Sequence, residues 1–274
     1  MPTHATIRLE DNALICATQR MRRAMARSIA RIGAHTPLVA WALPDNHGHL
    51  AFAGTREEAA HAAWRIELAL QAYRPSGCSP FLRRWLRTSG DYSYLSRMTR
   101  YALAQARHHE IQSDPFGESD ARVDLLGLRV IAPWARRRVR EALPRLTDGW
   151  MLEQLGLEPA EVRGWTGPIE AGDGLEHLAE AAAATFALPS LAGSRADRMD
   201  AKTAAVLACA PTVPPGALAA LLRCSPGTVW RIRNGEGAAA ARMSDADWAV
   251  RAVAVQARWR ARWADRRYLL APAS

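Results

Sequence analysis

Apolar residues fall at helical spacing in some stretches and alternate with polar ones in others, and the two periods divide the chain into elements. From Tyr92 to His109 there is no Gly or Pro, and Leu95, Met98, Ala102 and Ala106 share one face of a predicted helix. An earlier apolar run ends at Asp45 and leads into Asn46-His47-Gly48-His49-Leu50. Alternate residues of a strand share a face, so His47 and His49 point the same way and Gly48 the other. Helices dominate the C-terminal part. They are predicted near His177 to Phe186, from Asp200 to Cys209, and from Pro215 to Leu222, where Pro stands in the first turn. The next covers SPGTVWRIRN, capped by Ser225, opened by Pro226 and stopped by Gly235. The last carries Trp248, Val255, Trp259 and Trp263 along one stripe, after a capping-box-like start at Ser244 and Asp247. Gly164 to Gly174, rich in Gly and acidic residues, reads as a loop.

Two imidazoles side by side on a strand make half of a metal site. About fifty residues on, Tyr101 and Gln105 stand four apart on the predicted helix, so the tyrosine hydroxyl and the amide oxygen project from one face. Taken alone, that pair reads as a partly buried tyrosine and a solvated glutamine. The histidines within the same domain change the reading. Tyr92 and Tyr94 compete with Tyr101, Tyr94 from the same face two turns away; His61, His108 and His109 read as surface or packing residues. His4 is a candidate to line the site, although no spacing demands it.

At these residues the sequence resembles the single-tyrosine HUH nucleases of the transposase class, especially the REP-associated tyrosine transposases. That family carries Pro-Asn-His-hydrophobic-His on a strand. Pro44, Asn46, His47, Gly48 and His49 match it, with Asp45 inserted and Gly in the middle. Its catalytic tyrosine follows Arg or Asp, as Tyr101 follows Arg100; where the family usually reads Asn-Pro, this chain has Gln105 and Ala106. The order of elements is also similar: a strand (His4 to Leu9), a helix (Thr18 to Gly33), the histidine hairpin, a helix (Thr55 to Tyr73), an Arg-rich extended stretch (Phe81 to Gly90), then the tyrosine helix. The resemblance covers about residues 1–127. It implies an α+β, ferredoxin-like HUH nuclease domain, an antiparallel sheet bearing the histidines with helices on one face.

The resemblance further implies that His47, His49 and Gln105 hold Mg²⁺ or Mn²⁺ beside Tyr101. Cleaving a phosphodiester needs an aligned nucleophile and a cation to neutralise charge on the phosphate. A free phenol, with an unperturbed pKa of about 10, needs such surroundings to become phenolate. Tyr101 would be joined to the 5′ phosphate and a 3′ hydroxyl released, so a second strand can be joined without ATP. The implied partner is single-stranded DNA beside a hairpin or palindrome. Arg83, Arg84 and Arg87 with Trp85 offer charge and one stacking surface for it, with Arg100 beside the nucleophile.

Charge extends this picture to the C-terminus. The 274 residues carry a net +9, nearly all of it arginine, with Lys202 the only lysine. Residues 1–127 hold sixteen basic against twelve acidic side chains, 128–200 nine against eleven, and 201–274 eleven against four. The last segment is therefore the expected electrostatic foot on nucleic acid. Its two short helices about Arg223 and Cys224 resemble a helix-turn-helix, with Ala219, Val229 and Ile232 at core spacing and Ser225, Thr228, Arg231 and Arg233 turned to DNA. Arg223 stands where such turns commonly take Gly. The basic cluster Arg136 to Arg138 with Arg140 would extend the DNA path, and the arginines around the last helix would touch the backbone.

The expected organisation is a nuclease domain at 1–127, a helical connecting region at 128–199 and a helix-turn-helix domain at 200–274, acting as monomer or homodimer. Four scattered cysteines, Cys16, Cys78, Cys209 and Cys224, lack zinc or disulfide-framework spacing and read as reduced thiols. With no eighteen-residue apolar run and no leader pattern, no membrane association is expected and the location is cytoplasmic, at the nucleoid. The alternative function is a domesticated, catalytically inactive DNA-binding regulator on the same fold.

Overall fold

Strand β1 (Pro2–Arg8) runs between β3 (His47–Ala53) and the edge strand β4 (Trp85–Thr88), antiparallel to both. Strand β2 (Leu38–Ala42) pairs antiparallel with β3, giving the order β2-β3-β1-β4. The computed structural model describes residues 1–44, 46–74, 79–108, 114–240 and 247–270. The register pairs Ala5 with Leu50, Ile7 with Gly48 and Ala5 with Leu86 on one face, and Thr6 with His49, Thr6 with Trp85 and His4 with Arg87 on the other. Gly48 is needed for space. A Cβ there would lie 2.5 Å from Leu43 Cδ2 and 2.8 Å from Ile7 Cγ1, so the core already fills the volume that a larger residue would take.

Helix α1 (Gln19–Gly33) starts at Thr18, whose side chain accepts from the Met21 amide, and α2 (Arg56–Gln71) starts from a capping box between Thr55 and Glu58. Arg84, which shares the Leu86 face of the sheet, forks onto Glu67 of α2 with contacts of 2.6 to 3.1 Å. This sets α2 on the face of Ala5 and Ile7. Helix α3 (Tyr92–His108) packs on the opposite, histidine face, where the Arg87 guanidinium sits 5.4 Å over the Tyr94 ring. Helices therefore cover both faces, not one as the sequence suggested; Ala5, Leu50 and Phe52 are fully buried on one side and His4 and His49 nearly so on the other.

Two compact units result: residues 1–127 with 131–158, and residues 128–130 with 159–274. The first unit continues past residue 127 through 131–158, so residues 128–199, read from the sequence as a connecting region, divide between the units. Helices α4 (Arg122–Leu125), α5 (Pro133–Ala142) and α6 (Asp148–Gln154) belong to the first. The indole of Trp134 donates to the Ala30 carbonyl, and Arg138 donates to the carbonyls of Gly33, Thr36 and Leu38. These bonds fix α5 to the end of α1 and satisfy carbonyls that a helix terminus leaves open. Buried ion pairs Arg23–Glu118 and Arg122–Asp120 tie the segment before and into α4.

The second unit is helical: α7 (Pro159–Gly164), α8 (Leu178–Thr185), α9 (Ala196–Leu207), α10 (Pro215–Leu222), α11 (Pro226–Arg233) and α12 (Asp247–Leu270). Leu178, Ala204, Leu218, Ala219, Val229, Ile232 and Val253 share its core. Helix α9 begins four residues before the expected Asp200. Arg223 closes α10 in the left-handed region, φ 51° and ψ 56°, a conformation that strains a side-chain-bearing residue. Ser225 caps α11 by accepting from the Thr228 amide. Val255 and Trp259 of the expected tryptophan stripe are buried, whereas Trp248 is exposed; Ser244 and Cys78 lie outside the described residues. Among the described residues no helix is long and apolar enough to cross a membrane.

Candidate functional site

Helix α3 presents Tyr94, Arg97, Met98 and Tyr101 at the i, i+3, i+4, i+7 spacing of one helical stripe. This stripe faces His4 and Thr6 of β1, His47 and His49 of β3, and Trp85 and Arg87 of β4, and together they line a cavity of about 520 Å³. None of these residues is acidic. Arg87 and Arg97 make the cavity basic, which suits a polyanion, and among the described residues no paired carboxylates line it for general acid and base work.

Alternation along β3 brings the two imidazoles together, with ring centroids 4.7 Å apart and planes at 89°. The Tyr101 ring stands at 77° to His49 with centroids 5.2 Å apart, and its side chain is about half exposed at the cavity mouth. His47 Nδ1 donates to Asn46 Oδ1 at 3.0 Å, and His49 Nδ1 lies 3.0 Å from His4 Nε2. Both histidines thus engage Nδ1 in a hydrogen bond, so ligation of a metal by either falls to Nε2. This is the outer-shell arrangement typical of metal-binding imidazoles. Burial, followed by the nearby charge of Arg87, lowers the His4 pKa to about 4, so His4 is neutral at physiological pH.

Gln105 does not join this group. It is buried, its amide nitrogen donates to the Tyr101 carbonyl at 3.2 Å, and it is not among the cavity-lining residues. The i+4 spacing placed it one turn from the tyrosine, and its amide N–H bonds to the helix backbone there. The donor set in the cavity fits a metal through two imidazoles, and among the described residues no three His, Cys, Asp or Glu side chains form a ligand cluster.

The expected DNA contacts also separate. Trp85 and Arg87 reach the cavity. Arg83 is exposed outside it, Arg84 is held by Glu67 on the other face, and Arg100 donates to the Arg145 carbonyl and stacks 5.0 Å over Trp150. In the second unit Arg231 and Thr228 line a cavity of about 590 Å³ with Glu236, Met199 and Thr203. The Ser225 and Thr228 hydroxyls bond to each other at 2.9 Å. Arg233 is directed inward, donating to the carbonyls of Ala210, Pro211 and Val213. Of the basic cluster on α5, Arg138 holds carbonyls, while Arg136 and Arg140, both paired with Asp148, and Arg137 are exposed. On α12, Arg258 binds Asp173 and three carbonyls, Arg262 pairs with Glu161 and Arg260 is buried against Gln256. These three α12 side chains are held by partners within the second unit.

Sequence reasoning missed Thr6, Arg97 and Met98 as lining residues and gave His4 no definite role. Period two from His4 and the i+3, i+4 spacing from Tyr94 both carried the signal. Comparison of the chain with protein-family models, curated proteins and solved structures finds no match.

Proposed function

We propose that this protein cleaves and rejoins single-stranded DNA through Tyr101, with His47 and His49 holding a divalent ion in the cavity. The observation that carries the reading is the convergence of a half-exposed tyrosine with two outer-bonded imidazoles in a basic cavity with no acidic side chain among its described lining residues. In the reaction the Tyr101 oxygen forms a bond to phosphorus and the bond to the 3′ oxygen breaks. The phenolic proton ends on the departing 3′ hydroxyl, and the 5′ phosphate stays on the tyrosine. A bound Mg²⁺ or Mn²⁺ would neutralise charge on the phosphate oxygens. Two nitrogen donors favour Mn²⁺ by ligand softness. Arg87 and Arg97 would hold the strand electrostatically, and Trp85 would stack one base.

Hairpin or palindromic DNA is the proposed substrate form, with the second unit acting as a helix-turn-helix reader through Arg231 and Thr228. The inactive regulator remains a second reading because Gln105, the third ligand the resemblance implies, is not among the cavity-lining residues and spends its amide N–H on the Tyr101 carbonyl. Incubation with labelled single-stranded hairpins and Mn²⁺, resolved on a denaturing gel, tests both. A metal-dependent covalent band absent from Tyr101→Phe is expected; duplex binding with no adduct under any ion would replace the enzyme with the regulator.

A further inference from the structure

We infer that His4 is a positioning residue that fixes the tautomer and plane of His49, so that His49 presents its Nε2 lone pair toward the cavity. Strand register makes the contact. His49 stands opposite Thr6, and His4, two residues back on β1, stands opposite Ala51. The small Ala51 leaves room for the His4 ring to lean diagonally toward His49, a cross-strand separation that aromatic side chains can span. The rings meet edge to edge and nearly coplanar, with centroids 5.1 Å apart, planes at 25° and His4 Nε2 3.0 Å from His49 Nδ1. Both rings are more than nine-tenths buried, and Trp85 closes the outer side of His4 edge-on at 6.0 Å.

Only one of the two facing nitrogens can carry the shared proton. If His49 is to offer Nε2 as a lone pair, its Nδ1 must bear hydrogen and His4 Nε2 must accept, which places the His4 proton on its own Nδ1. The near-coplanar hydrogen bond then fixes both the plane of the His49 ring and its tautomer. Outer-shell groups of this kind change metal affinity by about 10–100-fold when removed. This inference rests on the reading of His49 as a metal ligand for its consequence, but the tautomer itself can be read without metal.

The test uses the full chain with His4→Phe, which keeps a ring and removes both nitrogens, and His4→Gln, whose amide oxygen can accept the same proton. Nitrogen-15 correlation spectra of the metal-free proteins report the His49 tautomer, circular dichroism verifies folding, and Co²⁺ absorption reports affinity. We expect His49 protonated on Nδ1 in the wild type, a mixture in His4→Phe and the original tautomer in His4→Gln, with Co²⁺ affinity falling about 10–100-fold and then recovering. A wild-type His49 protonated on Nε2, or a tautomer unchanged in folded His4→Phe, would overturn the inference. The expected tautomers with no Co²⁺ binding by the wild type would support the positioning role and overturn the metal reading.

Discussion

The Tyr101 ring stands nearly perpendicular to the His49 imidazole, 5.2 Å between centroids, one carried by helix α3 and the other by strand β3. Helix and strand periods make this meeting possible. A stripe of period 3.6 ends on Tyr101, and a strand of period 2 turns His47 and His49 to the same side. Since α3 covers the histidine face and α2 the other, the cavity is walled by rigid elements, which suits a nucleophile that must stay aligned with a phosphate.

Gly48→Ala is predicted to lower stability by about 1–3 kcal/mol, because overpacking a filled core displaces side chains. The added Cβ would meet Leu43 Cδ2 at 2.5 Å and Ile7 Cγ1 at 2.8 Å. Urea unfolding followed by fluorescence measures the cost.

Acid is predicted to weaken the metal-free fold through His4. Its pKa falls from 6.5 unfolded to about 4 folded. The unfolded chain therefore takes up the proton first, and stability is unaffected above pH 6.5 and declines as pH falls toward 4. The full loss is about 3 kcal/mol, from about 1.4 kcal/mol per pKa unit. Unfolding curves of wild type and His4→Gln, compared between pH 7 and 4.5 with chelator present, should diverge in the wild type's disfavour as pH drops.

Arg231 and Arg233 are predicted to behave as opposites although they are two residues apart. Arg233→Ala removes the donors to three carbonyls and should cost about 1–3 kcal/mol of stability. Arg231→Ala should leave thermal unfolding within about 0.5 kcal/mol of wild type, as exposed substitutions usually do. It should weaken DNA binding instead. Calorimetry with a salt-dependent DNA titration separates the two effects.

A similar division is predicted on β4. Arg87→Gln should preserve folding and lower the salt slope of single-stranded DNA binding by about one, the signature of one lost phosphate contact. Arg84→Gln should leave that slope unchanged and destabilise the fold, since Arg84 anchors Glu67. Filter binding across a salt series reads the slope.

Local pattern carried much of the architecture. The histidine strand, the α3 face, the Ser225 cap and the left-handed Arg223 turn all follow from residues close in sequence. Partnerships set by register or tertiary packing were not legible. The hydrogen bond of His4 to His49 spans forty-five positions and exists only once β1 and β3 are paired. The arginines show the same limit: composition made a basic surface of Arg84, Arg138, Arg233 and Arg258, whereas the fold directs each to a carboxylate or to carbonyls. Parity from Trp85 alone would have separated Arg84 from Arg87. Gln105 had the right helical spacing, but spacing does not choose a rotamer, and its amide bonds to the Tyr101 carbonyl.

The most direct measurement is mass-spectrometric mapping of the covalent product after incubation with hairpin DNA, Mn²⁺ and nuclease trimming. Tyr94 lines the same cavity and makes the site assignment discriminating. A nucleotide 5′ phosphate on the peptide containing Tyr101, dependent on metal and lost in His47→Ala, is the predicted result. An adduct on Tyr94, or strand cleavage with no protein-linked nucleotide, would contradict the account.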